Sequence, residues 1–188
     1  MFRIAVIPGL VAVFYLESDF GNWLACGLFT LAAITDFFDG FIARILGQQS
    51  AFGSFLDPVA DKLLVASALL MMVAFGHIAG LVILPAVVIL CREILVSGLR
   101  EYLAGIRISV PVSQLAKWKT TIQMVAIGFL MVGDAGPENF PTRQIGDIGL
   151  WIAAVLTLVT GYDYLRAGLR HIEIEDSSGR RSRNMETK

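Results

Sequence analysis

Two neighbouring segments of the chain carry four aspartates, namely TDFFDGFIAR (residues 35–44) and GSFLDPVAD (residues 53–61). The first segment carries two aspartates spaced i, i+3, and the second carries two spaced i, i+4, so each pair lies on one face of a helix. Pro58 suits the first turn of the second helix. The loop between the segments is too short to cross a bilayer core of about 30 Å. We therefore expect adjacent antiparallel helices that present the following carboxylates at one membrane surface: Asp36, Asp39, Asp57 and Asp61.

The composition around this stretch predicts an all-α membrane protein. Of the 188 residues, 56% are hydrophobic and 16% are charged, and the mean hydropathy is +0.70. The apolar residues form long runs rather than short alternating strands, which indicates a polytopic bundle of about six transmembrane helices. The predicted spans cover residues 2–16, 22–45, 58–76, 79–103, 113–133 and 144–168. We expect one transmembrane domain over residues 1–170 and a polar, disordered cytoplasmic tail over residues 171–188.

The distribution of lysine and arginine predicts the orientation of the spans. With the N-terminus inside, six spans leave Arg143 alone on the outer side, and the other 14 of the 15 cations are cytoplasmic. An even number of spans puts both termini in the cytoplasm and the aspartates at the cytoplasmic face of the inner (plasma) membrane. The net charge of −1 gives no reason to expect a nucleic-acid partner.

Four aspartates at the ends of apolar helices require counter-charge. An ionised aspartate within a span costs about 2.5–3.5 kcal/mol on insertion scales, and Arg44 and Lys62 cannot neutralise four of them. Carboxylates without nearby histidine or cysteine select Mg²⁺ or Mn²⁺. Two such ions can hold a phosphoryl group during in-line displacement. Gly40 and Ala43 leave a notch on the same helix face, which would admit a phosphorylated ligand.

Read together, these positions give the pattern D-x₂-D-G-x₂-A-R-x₈-G-x₃-D-x₃-D, which resembles the signature of the CDP-alcohol phosphotransferases. The resemblance implies that all four aspartates bind two divalent ions and that Asp61 is the general base. It also implies contact with the CDP group by Asp36, Gly40, Ala43, Arg44, Gly53 and Asp57.

A second pair of segments bears on the acceptor alcohol. Residues 92–100 read REILVSGLR and residues 117–124 read KWKTTIQM, and both resemble the corresponding segments of phosphatidylglycerophosphate synthases, whose acceptor is glycerol 3-phosphate. Cations near the cytoplasmic ends of two spans suit an acceptor that carries its own phosphate. The candidate phosphate-binding residues are Arg92, Arg100, Lys117 and Lys119. The resemblance implies CDP-diacylglycerol as the donor, phospholipid biosynthesis as the setting, and a homodimer.

Two alternatives remain open at this stage. The same chemistry could serve another acceptor, namely serine, inositol phosphate or phosphatidylglycerol. A divalent-cation transporter is the non-enzyme alternative, but the aspartates cluster at one membrane face and do not continue to the other.

The metal-site hypothesis predicts the effect of a conservative substitution. Asp57→Asn keeps the side-chain size and removes the charge, so it should lower the rate of CMP release from CDP-diacylglycerol by at least about 100-fold, because the ions stabilise transition-state charge. Membrane insertion, measured by fractionation and detergent extraction, should not change. Near-normal turnover in Asp57→Asn would contradict the two-metal assignment.

Overall fold

The computed structural model describes the backbone of residues 2–46, 51–105 and 114–186. Side chains are described for residues 3–35, 59–105, 114–115, 117–166 and 168. The described backbone is helical throughout, apart from short turns, and contains no strand. The six helices are α1 (Phe2–Phe14), α2 (Asp19–Leu46), α3 (Ala51–Ala74), α4 (Ile83–Gly105), α5 (Gln114–Val132) and α6 (Thr142–Glu186).

The helices form a bundle around one apolar core. α1 packs against α2 and α3, α2 against α5, and both α4 and α5 against α6. Phe29, Leu64, Met72, Ile127 and Leu150 are all fully buried in this core. Large apolar side chains also cover the outer surface of α4 and α6, which is the pattern of helices that face an apolar solvent on one side and pack on the other.

Two helices in the described part of the chain are long and apolar enough to cross a membrane. They span Gly80–Gly105, which includes a 3-10 turn before α4, and Thr142–Arg166 within α6. The all-helical prediction is confirmed for the described residues. The predicted count of about six spans and the orientation of the termini stay predictions.

α5 and α6 approach closely because two glycines lie where they meet. A Cβ atom on Gly146 would lie 2.7 Å from Leu130 Cγ, and one on Gly149 would lie 2.9 Å from Ala126 Cβ. Such distances leave no room for a side chain. Small residues at helix contacts allow this packing in apolar surroundings, where van der Waals contact drives helix association.

Two boundaries differ from the sequence-based expectation. α3 begins at Ala51, seven residues before Pro58, so Pro58 does not mark its first turn. α6 continues to Glu186, so residues 171–186, for which we predicted a disordered tail, are helical. The chain has no proline after Pro141 to end this helix. The domain boundary at residue 170 stays a prediction.

Polar contacts mark one end of the bundle. Arg143 Nη1 lies 2.7 Å from Asp134 Oδ2, and Arg143 Nη2 donates to the Gly76 carbonyl at 3.3 Å. Trp23 Nε1 donates to the Ala135 carbonyl at 3.1 Å. These contacts join the N-terminal ends of α2 and α6 to the segments that follow α3 and α5. Asp61 lies thirteen residues before the end of α3 at Ala74, which is about 20 Å along the helix from this end.

Candidate functional site

The two helices predicted to carry the aspartate motif are both present. α2 includes residues 36–44 close to its C-terminal end, and α3 includes residues 53–61 close to its N-terminal end. Each aspartate pair is therefore on helical backbone, as its spacing requires. Among the motif residues, only the side chain of Asp61 is described. The following residues lie outside the described side chains, and their predicted roles stay predictions: Asp36, Asp39, Gly40, Ala43, Arg44, Gly53 and Asp57.

Asp61 forms an ion pair with the first helix. Arg3 Nη1 lies 3.4 Å from Asp61 Oδ1, and Arg3 is buried while about half of the Asp61 side chain is exposed. The guanidinium therefore orients the carboxylate from inside the protein and leaves its other side accessible. Sequence reasoning counted Arg3 only as a cytoplasmic cation. The signal that could have identified it was a single charge in an otherwise apolar helix.

A second charged cluster joins α4, α5 and α6 through Glu93. Lys119 Nζ and Arg92 Nη1 both contact Glu93 Oε1, the latter at 3.4 Å. Arg92 also reaches α6, where Nε donates to the Thr157 carbonyl at 3.1 Å and Nη2 donates to Thr160 Oγ1 at 3.1 Å. We name Arg92, Glu93 and Lys119 the Glu93 cluster. Its carboxylate was missed by the sequence analysis, although an acid next to an arginine within an apolar helix was visible there.

The four cations predicted to bind the acceptor phosphate therefore divide into two kinds. Lys119 is buried, Arg92 is largely buried, and both belong to the Glu93 cluster. Arg100 and Lys117 are exposed, and the Arg100 guanidinium carbon lies 5.6 Å from the centre of the Tyr164 ring, within cation–π range. The structure does not bring all four to one point, and their role towards phosphate stays a prediction.

A small polar pocket lies between α3, α4 and α5. Its volume is about 50 Å³, and its polar lining consists of Asp61, Lys62, Glu93, Thr120 and Gln123. The predicted general base thus shares one pocket with a cation and with the carboxylate of the Glu93 cluster. A small hydroxyl-bearing group in this pocket would lie beside Asp61.

A larger apolar cavity lies on the other side of α5. It has a volume of about 750 Å³ and is open to the surface between α2, α5 and the loop before α6. Its lining runs along α2 from Trp23 to Ile34, which is two residues before Asp36. Met124 of α5 lines both this cavity and the polar pocket. One side chain thus forms part of the wall of each.

Only part of the predicted set of metal ligands has described side chains. Within the described side chains, no three Asp, Glu, His or Cys residues group closely enough to hold an ion. Asp61 is one described donor, and its three predicted partners lie on the same helix or on α2, in segments whose side chains are not described. The donor set of four carboxylates fits Mg²⁺ or Mn²⁺ by its chemistry.

The Glu93 cluster predicts different outcomes for two neighbouring lysines. Lys119→Met would remove one of the two cations that contact Glu93 and keep Arg92, so we expect a loss of about 1.5–3 kcal/mol in stability, the value of a hydrogen bond to a charged group. The melting temperature of the detergent-solubilised protein measures this loss. Lys117→Met is the matched control, and because Lys117 is exposed we expect a change within about 0.5 kcal/mol.

Adding Glu93→Gln to Lys119→Met should lower the stability further, because the largely buried Arg92 then loses its carboxylate partner. Equal, small effects of the two lysine substitutions would show that Lys119 is not held by Glu93.

The chain is similar over most of its length to proteins of one family. The family model described as CDP-alcohol phosphatidyltransferase matches residues 1–159. Three relatives share one name, CDP-diacylglycerol–glycerol-3-phosphate 3-phosphatidyltransferase. The protein of Rickettsia bellii is 48% identical over 165 residues, covering 88% of this chain and 90% of its own. That of Pectobacterium atrosepticum is 45% identical (93% and 94% covered), and that of Cereibacter sphaeroides is 38% identical (92% and 94% covered).

The matched region contains the aspartate motif of α2 and α3, the Glu93 cluster and residues 142–159 of α6. With a family model over residues 1–159 and relatives of this identity over most of its length, the chain belongs to the CDP-alcohol phosphatidyltransferase family.

Proposed function

We propose that this protein transfers the phosphatidyl group of CDP-diacylglycerol to sn-glycerol 3-phosphate, giving phosphatidylglycerophosphate and CMP. The observation that carries the proposal is the polar pocket beside Asp61, in a chain whose relatives bear the name of this activity. The pocket offers a base for a hydroxyl group, and Lys62 supplies positive charge near the phosphate of the acceptor.

The reaction is an in-line displacement at phosphorus. The C1 hydroxyl oxygen of glycerol 3-phosphate attacks the phosphorus that bears the diacylglycerol, and Asp61 accepts the hydroxyl proton. The bond from this phosphorus to the bridging oxygen breaks, and CMP leaves with that oxygen. Arg3 orients the Asp61 carboxylate for this step. Holding both reactants in position supplies much of the rate enhancement in reactions of this type.

Two divalent ions fit the mechanism as resident cofactors. Asp36, Asp39, Asp57 and Asp61 would hold Mg²⁺ or Mn²⁺, and the bound ions would stabilise charge on the pyrophosphate and on the leaving group. Gly40, Ala43, Arg44 and Gly53 would contact the CDP group around them.

The protein acts within a lipid bilayer in this proposal. Six spans with both termini in the cytoplasm put 14 of the 15 lysines and arginines inside. Arg143, the remaining cation, pairs with Asp134 at the end of the bundle far from Asp61. This separation of charge supports a cytoplasmic active site in the inner (plasma) membrane. We also propose a homodimer, and the family resemblance is the only support for it.

The apolar cavity suits one acyl chain of the donor. It follows α2 up to Ile34, just before the aspartate motif, and it shares Met124 with the polar pocket. A donor whose phosphates lie at the aspartates can therefore extend an acyl chain along α2 and α5. The hydrocarbon gains little from leaving the bilayer, so the cavity orients the donor more than it tightens its binding.

A cation transporter is less well supported by the same observations. Asp61 and Glu93 line one small, local pocket and Lys119 pairs with Glu93, so these charges form a single cluster and not a path along the helices. The other acceptors of the family would react by the same displacement, and they differ from glycerol 3-phosphate in charge and size.

An acceptor panel tests the proposed function. The purified protein in mixed micelles would receive CDP-diacylglycerol with a radiolabelled cytidine group, together with glycerol 3-phosphate, serine, inositol phosphate or phosphatidylglycerol. We expect CMP release that depends on glycerol 3-phosphate and on added Mg²⁺ or Mn²⁺. Preferred release with another acceptor would change the assignment within the family, and release with none would contradict it.

The acyl-chain cavity predicts a size series at Gly128, which lines it. A Cβ atom there would lie 3.8 Å from Cys26 Sγ, an ordinary contact, so Gly128→Ala should be tolerated. Gly128→Leu would fill part of the cavity and should raise the KM for a dioleoyl donor by about 10-fold, because the added side chain displaces the acyl chain from the position that orients the donor. The KM for a donor with six-carbon chains is the control and should change little. Equal increases in KM for both donors would show that the acyl chain does not bind in this cavity.

A further inference from the structure

Gln123 carries a buried polar atom that nothing in the described structure satisfies. Its side chain is 3% exposed, and its Oε1 has no hydrogen-bond partner among the described residues. A buried acceptor left unpaired costs about 1–3 kcal/mol, so native proteins retain few of them. An amide at this position therefore needs a reason beyond packing, which leucine or methionine would serve better.

The position of Gln123 suggests that reason. It lies one turn after Lys119 on α5 and lines the polar pocket together with Asp61, Glu93 and Thr120. Thr157 Oγ1 is the second unpaired buried atom of the described residues, but it lies beside Arg92 on α6 and does not line the pocket. Gln123 alone thus combines an unpaired acceptor with a place beside the proposed base.

The size of the pocket limits what it can receive. At about 50 Å³ it is far smaller than the roughly 300–1,000 Å³ of sites that enclose a drug-sized ligand. It has room for a small hydroxyl-bearing fragment, whereas a phosphate with its water shell would remain outside. The lining offers acceptors in Asp61, Glu93 and the Gln123 carbonyl and donors in Lys62 and Thr120, so it suits hydroxyl groups, which both donate and accept hydrogen bonds.

We propose that Gln123 is a specificity-determining residue that recognises the second hydroxyl of the acceptor. The inference rests on the proposed transfer to glycerol 3-phosphate. In it, the C1 hydroxyl faces Asp61 and reacts, and the C2 hydroxyl donates a hydrogen bond to Gln123 Oε1. The recognised chemistry is a vicinal diol, so the site selects a polyol phosphate over a simple alcohol phosphate.

This recognition has a measurable consequence. A site built to pair with a substrate hydroxyl rejects the analogue that lacks it, because the acceptor in the protein is then buried without a partner. 3-Hydroxypropyl phosphate is that analogue, since it keeps the reacting hydroxyl and the phosphate and lacks only the C2 hydroxyl. We expect the wild-type protein to prefer glycerol 3-phosphate by about 100-fold in kcat/KM, which corresponds to the cost of leaving one buried acceptor unpaired.

The experiment compares this preference in three proteins. Gln123→Leu keeps the approximate volume and removes the acceptor, so the preference should fall to within about 5-fold, chiefly through lost activity with glycerol 3-phosphate. Thr157→Val is the matched control, because it removes the other unpaired buried oxygen, and it should keep the wild-type preference. The KM for CDP-diacylglycerol should be the same in all three. If Gln123→Leu does not assemble in the membrane, Gln123→Met, which is unbranched like glutamine, replaces it.

The outcomes separate this inference from the proposed function. Transfer to glycerol 3-phosphate with an unchanged preference in the Gln123 variants would overturn the inference and leave the function intact. Equal use of both acceptors by the wild-type protein would overturn it without any variant. Absence of transfer to either acceptor would contradict the proposed function, and the inference with it.

Discussion

Glu93 receives Lys119 from α5 and Arg92 from its own helix, and Arg92 continues to the carbonyl and hydroxyl groups of α6. This contact makes the rest of the bundle possible, because an ionised group within apolar helices is costly unless it is paired and hydrogen-bonded. Removing charges from water offsets much of the attraction between them. The main effect of the Glu93 cluster is therefore on geometry, because it fixes α4, α5 and α6 relative to one another beside the polar pocket.

The pairing of charges also separates the two environments that a lipid-modifying enzyme requires. Arg3 and Asp61 extend the charged region to α1 and α3, and the polar pocket lies within it. Beyond Met124 the lining becomes apolar, and the large cavity follows α2 and α5. A donor with a charged head and a hydrocarbon tail can contact both regions at once. The reacting phosphorus then lies near the boundary between them.

Much of this arrangement could be predicted from the sequence because the relevant signals are local. Helix periodicity and the lengths of the apolar runs gave six helices, and the i, i+3 and i, i+4 spacings placed the aspartates on α2 and α3. Pro58 led us to predict the start of α3 too late in the chain. Prolines within membrane helices are tolerated where neighbouring groups satisfy the backbone. We predicted disorder after residue 170 from the polar composition of that segment. A polar composition does not by itself end a helix, and α6 continues to Glu186.

The partners of the charged residues could not be predicted in the same way. Arg3 meets Asp61, Lys119 meets Glu93, and Gln123 lies beside both carboxylates only because separate helices pack together. Four cations near one membrane surface look equivalent in a sequence. In the structure Arg92 and Lys119 belong to a buried network, whereas Arg100 and Lys117 are exposed.

In the proposed mechanism the aspartates of α2 and α3 form a divalent-ion site that binds the donor. This site can be measured by titration of the purified, metal-free protein with Mn²⁺, followed by electron paramagnetic resonance with and without CDP-diacylglycerol. We expect two bound Mn²⁺ ions per chain in the presence of the donor, both displaced by excess Mg²⁺. A protein that binds no Mn²⁺ when the donor is present would contradict it.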